Sequence, residues 1–513
     1  MKILKAFIIS FILTGFISAQ EVVELKQPNS SKIVIKLMFN NGSMSDPSGK
    51  EGLTFTTASV ISQGGTGDLS FSDIKEKIYP MAASYNSSVD KEVSIFTFAV
   101  HKDWLDEFYP ILKGLILNPS FKESDFERVK INQQSYVDQV IRASSDEEYS
   151  KKALEDFLFR GTNYQHMVEG KSESVKSITL EDVKEHYKNY FTKNNLLIGI
   201  AGNYSEEFLN KLRSDLAQLP DTKPQIPQAP ESKMPEGIEV EIIAKEGAFG
   251  SAIFLGYPIS VTRADDDFAA LMVANSFLGE HRKSYGKLYK MIREERSMNY
   301  GNYSYIEWYD NGGANMLPPS GVPRKANYFS IWIRPVQIAK QLKNQYEELK
   351  DVEVGHAHFA LRMALREVNK LIENGMSEEE FKNTRAFLRS YIKLYIKSPS
   401  DQLGYLMDSK MYGREDYISE LDELLAGLTL EDVNEAIKKY WQIDYMKITI
   451  VTDVSEAKPL AESLKENKSS PMSYSDIVRA GLPEEVLSED SETEDFILNI
   501  KSVNIVDSKD TFK

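Results

Sequence analysis

Residues 177–205 and 427–455 carry one pattern at a fixed offset of 250 residues. A chain that repeats a unit of this length must build two similar bodies rather than one. Thr179, Leu180, Glu181, Asp182, Val183, Glu185, Lys188 and Tyr190 are matched by identical residues in the second copy. Each copy reads as a Thr N-cap with acids in the first helical turn, apolar residues at helical spacing, then a short hydrophobic strand. A second pair runs in the same order: Asp125 to Tyr136 parallels Glu380 to Tyr391, each opening a helix behind acidic residues. Two parallels in one order point to an internal duplication.

The segment from Leu219-Pro220 to Pro235 is rich in Pro, Lys and Gln, which suits an exposed, semi-extended connector. It divides a first half (20–218) from a second half (237–460), with 219–236 as linker and 461–513 as a tail. Each half is expected to be α+β, with helices packed on a mostly antiparallel sheet. Strand candidates are Lys32–Phe39, Val93–Val100, Leu196–Ala201, Ala252–Gly256, Tyr328–Ile333 and Lys447–Val451. In the tail, the acidic run Glu484 to Glu494 predicts a flexible stretch. The following Phe496-Ile-Leu-Asn-Ile predicts a short strand or extended segment laid on the body.

At the N-terminus, Lys2 and Lys5 precede an apolar run from Ala6 to Ile17 and then Ser18-Ala19. This is the pattern of a secretory leader over residues 1–19, cleaved after Ala19, and the run is short for a membrane span. The chain has no Cys, which excludes disulfides, thiolate metal sites and cysteine nucleophiles. A secreted chain without disulfides is expected in a bacterial periplasm, where Asn-x-Ser matches such as Asn86-Ser87-Ser88 carry no glycan meaning. The formal net charge is −16, and loss of Lys2 and Lys5 with the leader takes it to −18. That acidity argues against nucleic acid or an anionic membrane surface as the main partner.

Residues 48–66 read Ser-Gly-Lys-Glu-Gly-Leu-Thr-Phe-Thr-Thr-Ala-Ser-Val-Ile-Ser-Gln-Gly-Gly-Thr. This resembles the first active-site helix of the pitrilysin/insulinase-like zinc peptidases, or inverzincins, whose pattern is roughly G-L-A-H-F-L-E-H-M-L-F-x-G-T. Gly52, Leu53 and the Gly64-Gly65-Thr66 turn keep its frame. Phe55 and Ser59 stand at its two His positions and Ala58 at its Glu. Zinc needs imidazoles four apart on one helix face with the Glu beside them as general base, and Phe, Ala and Ser supply neither. The family's third ligand, a Glu on a later helix, falls near Asn132-Gln133-Gln134-Ser135, where no carboxylate stands. The resemblance implies two α+β halves per subunit, with pairs of subunits closing like a clamshell.

Residues 284–303, S-Y-G-K-L-Y-K-M-I-R-E-E-R-S-M-N-Y-G-N-Y, resemble the family's second-half pattern, roughly S-x-L-x-x-x-L-R-E-x-x-x-x-x-Y. Arg293 and Tyr300 fall on its Arg/Tyr pair, with Leu288, Ile292, Glu294 and Leu278-Gly279 also in place. In the family this pair reaches across the chamber towards the zinc-bound scissile carbonyl. An Arg fork and a phenol are fixed donors for the oxyanion formed when water attacks an amide. The structural alternative pairs Arg293 with Glu294 or Glu295 and lays Tyr300 on a strand face with Tyr303 and Tyr305. The loop Leu278-Gly279-Glu280-His281-Arg282-Lys283 is not glycine-rich, unlike that of the processing-peptidase α subunit.

Other candidates have ordinary readings. His356 and His358 would share a face on a strand, but the following Phe359-Ala-Leu-Arg-Met-Ala-Leu predicts a helix start, where they point apart. No G-x-S-x-G elbow occurs, and Gly64-Gly65-Thr66-Gly67 lacks the Lys of a phosphate loop. Tyr303, Tyr305, Trp308 and Tyr309 could line a peptide channel, or form a sheet face against helices.

The reading that follows is a non-zinc, Arg/Tyr-pair subunit of a two-subunit bacterial peptidase, similar to processing-peptidase subunits. It has no cofactor of its own and is inactive alone. Its partner would be a homologous chain carrying His, His, Glu and zinc, and its ligands peptides or unfolded proteins. The alternative is a catalytically silent scaffold in an envelope complex at the outer membrane.

Overall fold

The structure is a computed structural model that describes residues 21–512, apart from 232, 281–282 and 309–319. The leader thus lies outside the described residues, as do Tyr309 and the His281-Arg282 part of the loop after Gly279. The first sheet joins β1 (Val22–Lys26), β2 (Lys32–Phe39), β3 (Ser84–Val89), β4 (Ser94–His101) and β5 (Leu196–Gly202) in the order β1-β5-β2-β4-β3. The second joins β6 (Ile238–Ala244), β7 (Ser251–Ile259), β8 (Asn302–Tyr305), β9 (Asn327–Val336), β10 (Met446–Thr452) and β11 (Ile500–Asp507) in the order β11-β6-β10-β7-β9-β8. Without β11 the two orders are the same, strand for strand. Most pairings are antiparallel, but β1 runs parallel to β5, β6 to β10 and β11 to β6. The repeated helices, Leu180–Tyr190 and Leu430–Tyr440, open on identical capping boxes, Thr179 with Asp182 and Thr429 with Asp432.

The continuous apolar run of β2 has a simple cause: both faces of the sheet are covered. Ile33, Ile35, Leu37 and Phe39 point into the first half's own helices. Val34 and Met38 on the other face meet Leu403 and Met407, which belong to a helix of the second half, Pro399–Met411. The second sheet is served in the same way. Ile253, Leu255 and Tyr257 of β7 face its own helices, whereas Ala252 and Phe254 pack with Leu154 and Leu158 of the first-half helix Asp146–Leu158. Both borrowed helices are 13 residues long and begin at Ser caps, Ser145 and Ser398. Each half therefore lends one helix to the other half's sheet.

Between the halves lies a network of buried charges. Arg324, from the second half, makes a fork to Asp90 (Nε to Oδ2 2.7 Å, Nη2 to Oδ1 2.6 Å) and also donates to Glu155. Lys91 Nζ stands 3.1 Å from Glu155 and donates to the Tyr164 carbonyl at 2.9 Å. Tyr164 in turn donates its hydroxyl to Glu92, which also accepts from the Lys325 backbone. Burial alone would raise the Glu155 carboxyl, but Lys91, Arg324 and Lys152 outweigh it and hold it down to about 2.

The tail departs from the sequence expectation. The acidic run is not a flexible stretch but a helix, Glu484–Thr493. Three cations of the second half pair with half of the run's acids: Arg296 bonds Asp490 (2.7 Å) and Glu489 (3.1 Å), Lys370 bonds Glu489 (3.2 Å), and Arg366 bonds Glu492. The strand that follows is Ile500–Asp507, beginning where Phe496-Ile-Leu-Asn-Ile ends, and it extends the second sheet beyond β6. Phe512 then seats on Tyr149 of the first half, rings 5.3 Å apart, with Val137, Ile141 and Met167 around them. The connector has no regular secondary structure among its described residues, and its Ile226 and Ala229 tuck against the second sheet's outer aromatic cluster.

Two stability outcomes follow. Arg324→Ala leaves Asp90 and Glu155 buried without their shared partner and is expected to cost about 3–5 kcal/mol in urea unfolding. Glu155 binds a proton near pH 4.5 when unfolded but only near 2 when folded. Its stabilisation is therefore complete above pH 4.5 and is lost as pH falls towards 2. Urea midpoints measured across that window should fall steeply for the native chain and less for Glu155→Gln.

Candidate functional site

The helix that keeps the frame of a zinc site, Leu53–Gln63, begins at Gly52 in the left-handed region (φ 97°). A side chain there would meet Gln133 Nε2 and the Glu169 carbonyl at 2.7 Å, so glycine serves both conformation and close approach. Asp46 caps the helix from outside, accepting from the Gly52 and Thr54 backbone N–H groups at 2.7 Å. The scaffold is intact, but the ligands are not. Ala58 and Ser59 are buried and Phe55 is half-buried, in register with the frame.

Gln133, in the stretch aligned with the missing third ligand, is fully engaged in structural bonds. It accepts from Thr56 Oγ1 (2.7 Å) and donates to the Glu169 (2.8 Å) and Gly52 (3.2 Å) carbonyls. Among the described residues no group of three His, Cys, Asp or Glu could hold a metal ion. Zinc does not fit this helix.

Arg293 and Tyr300 do come together. The Arg293 guanidinium lies 5.4 Å from the centre of the Tyr300 ring, a cation–π contact. Arg293 lies near the end of a π-helical turn, Tyr289–Glu294, of a kind frequent at functional sites. The chain then reverses through Ser297, whose φ of 53° is uncommon for a residue with a side chain.

Tyr300 is 77% exposed, and Arg293 has no ion-pair partner among the described residues. The structural alternative is not what forms: Arg296, not Arg293, pairs with Glu295, and Tyr300 precedes β8 rather than lying on its face. The segment is pinned from behind. Asn299 Nδ2 donates to the Arg334 carbonyl (2.8 Å) and Asn302 Nδ2 to Asn299 Oδ1 (3.0 Å). Arg334 reaches Glu147 of the first half at 2.6 Å, and Arg296 is clamped to the tail helix.

The remaining candidates are structural. His356 precedes and His358 lies in the helix Ala357–Asn374, both buried. His356 faces Gln337 Oε1 (3.0 Å) and His358 faces Ser463 Oγ (2.9 Å). Burial lowers them to about 4 and about 3, so both are neutral at pH 7. Tyr303 and Tyr305 form a buried sheet face with Trp332 against the borrowed helix, and Trp308 stacks on Arg324 at 4.3 Å.

What the sequence did not reveal is a pocket of about 180 Å³ beside the vacated helix, lined by Phe55, Ser59, Phe71, Lys75, Tyr85 and Ser87 among others. It is separate from Arg293 and Tyr300. A larger cavity of about 800 Å³, between the helices Ala339–Gln345 and Val454–Lys465, contains none of the predicted site residues.

These placements separate the Arg293–Tyr300 pair from the residues that brace it. Arg293→Ala and Tyr300→Ala are expected to shift unfolding free energy by no more than about 0.5 kcal/mol. Arg296→Ala, which strands Asp490, should cost about 3 kcal/mol, read by the same urea titration.

Comparison with known proteins agrees with this picture. The model of "Insulinase (Peptidase family M16)" matches residues 21–171, and that of "Peptidase M16 inactive domain" matches residues 177–388. The "Non-peptidase homolog YmxG" of Helicobacter pylori is 22% identical over 472 residues, covering 89% of this chain and all of that one. The "Probable inactive metalloprotease YmfF" of Bacillus subtilis is 24% identical over 340 residues, covering 60% of this chain and 77% of its own. In fold, the crystal structure of a peptidase M16 inactive domain from Pseudomonas fluorescens superposes with a TM-score of 0.71 at 17% identity, covering 85% of this chain and 96% of that one. With its two duplicated halves and its metal ligands replaced as a set, the chain belongs to the M16, or insulinase, superfamily and is one of its inactive members.

Proposed function

We propose that this chain is the zinc-free subunit of a heterodimeric zinc peptidase of the periplasm. In this reading a homologous partner chain supplies the metal and its His, His and Glu ligands. This chain supplies Arg293, Tyr300 and half of an enclosed peptide chamber. One observation carries the reading: a half-buried guanidinium and an exposed phenol, held against each other on a braced segment, with no carboxylate engaging the guanidinium among the described residues. Five N–H donors and one O–H are thereby kept available for an oxyanion that forms on a peptide held between the two chains.

The location rests on the leader-like residues 1–19 and the absence of Cys. No helix among the described residues is long and apolar enough to cross a membrane. The names of the inactive relatives equally suit a silent peptidase-like scaffold in an envelope complex, and experiment separates the two readings.

Alone, the purified chain is expected to hold no stoichiometric zinc by elemental analysis and to cleave no peptide. Co-purified with a partner bearing an intact H-x-x-E-H helix, it should support hydrolysis. Arg293→Ala or Tyr300→Phe should then lower kcat by roughly two to three powers of ten, with zinc content and complex assembly unchanged. Unaltered turnover in both variants refutes the catalytic reading. A complex that assembles and never hydrolyses favours the scaffold.

A further inference from the structure

We propose that the pocket beside the vacated zinc helix is a subsite for a carboxylate carried by an extended peptide that pairs with the free edge of β3. This deepens the peptide-binding part of the proposed function and rests on it, but it concerns residues remote from Arg293 and Tyr300.

β3 is the edge strand of the first sheet, and no described strand pairs with its outer side. Its main-chain donors and acceptors there are open to an added strand. Along β3 the residues alternate: Tyr85, Ser87 and Val89 are half-buried towards the helix layer, while Ser84, Asn86 and Ser88 are exposed. A strand laid alongside follows the same pleat, so every second side chain falls on the face of Tyr85 and Ser87. That face opens into the 180 Å³ pocket, whose helical wall is Phe55 and Ser59. Sites for whole small ligands run from about 300 to 1,000 Å³, so this volume suits one side chain or one chain terminus.

The lining decides which kind. Although the chain has 77 acidic residues against 61 basic ones, no carboxylate among the described residues lines this pocket, and Lys75 does. The Lys75 ammonium is held over two rings, 4.8 Å from the centre of Tyr85 and 5.1 Å from that of Phe71, and has no ion-pair partner among the described residues. The Arg128 guanidinium covers Phe71 as well, at 4.9 Å. The Tyr85 hydroxyl is buried without a hydrogen-bond partner among the described residues, and burial pushes the phenol up to about 12, so it remains a donor. A fixed cation and an unsatisfied hydroxyl donor make a receptor for an anionic oxygen. Aromatic walls admit the methylenes that carry it.

The test uses the full chain alone and fluorescent β-prone peptides of one length, read by anisotropy. A peptide with a central Glu and an amidated C-terminus tests the side-chain carboxylate. One with a central Gln and a free C-terminus tests the terminal carboxylate, and Gln with an amide is the reference. At least one carboxylate peptide should bind about tenfold more tightly than the reference. Lys75→Gln should abolish that difference, and Lys75→Glu should reverse it in favour of a central-Lys peptide. Lys75 is exposed, so both variants should melt as the native chain does.

Equal affinity for all peptides in the native chain, or a preference unchanged in Lys75→Glu, overturns the subsite alone. No saturable binding of any peptide overturns the sheet-edge platform, and the subsite with it. Neither result depends on whether Arg293 serves hydrolysis.

Discussion

Arg324 is the point on which the two halves depend. Its guanidinium lies inside the protein with a carboxylate from β3–β4 turn residue Asp90 on one side and Glu155 of a borrowed helix on the other. Desolvating three charges is costly, and the cost is met only because each has a partner in good geometry. Lys91 completes the set by joining Glu155 to the carbonyls of Tyr164 and His166. Such a cluster adds little stability over an apolar core of the same shape. What it does is penalise wrong arrangements: any relative placement of the halves that separates these groups strands a charge in low dielectric.

The helix Leu53–Gln63 and the Arg293–Tyr300 segment are each braced by their own polar bonds. In the first half, the frame around Gly52 is preserved because it is structural: Asp46 caps the helix and Gln133 ties its start to the Glu169 carbonyl. Those bonds survive whatever occupies positions 55, 58 and 59, so the ligands could be replaced while the helix stayed in place. In the second half, bracing runs the other way. Arg296 and the Asn299–Asn302 pair hold a short irregular segment in place, with Arg293 half-buried just before it and Tyr300 exposed within it. Buried polar bonds here support one half-buried guanidinium and one exposed phenol.

Much of this was legible in the sequence, and the reasons differ by element. The Thr–Asp capping boxes and the strands β2, β5 and β10 announced themselves because local bonds and two-sided burial leave strong local patterns. β3 did not, since Ser-Tyr-Asn-Ser-Ser-Val is an edge with one face open and carries little apolar alternation. The tail helix read as disordered because its acids look like uncompensated charge until Arg296, Arg366 and Lys370, more than 100 residues away, are brought beside it. Arg293 and Tyr300 were visible only through their spacing in a familiar frame. Lys75 was invisible, because its position over two rings depends on a sheet edge that the sequence barely marks.

The mutual loan of helices has a consequence for motion. Moving one lobe away from the other would pull Leu403 and Met407 out of one sheet and Leu154 and Leu158 out of its counterpart at the same moment. A hinge inside the polypeptide would thus have to dissolve both cores to swing at all, and thermal breathing cannot supply that. The two lobes are therefore coupled through both sheets at once and are built to move as a single piece.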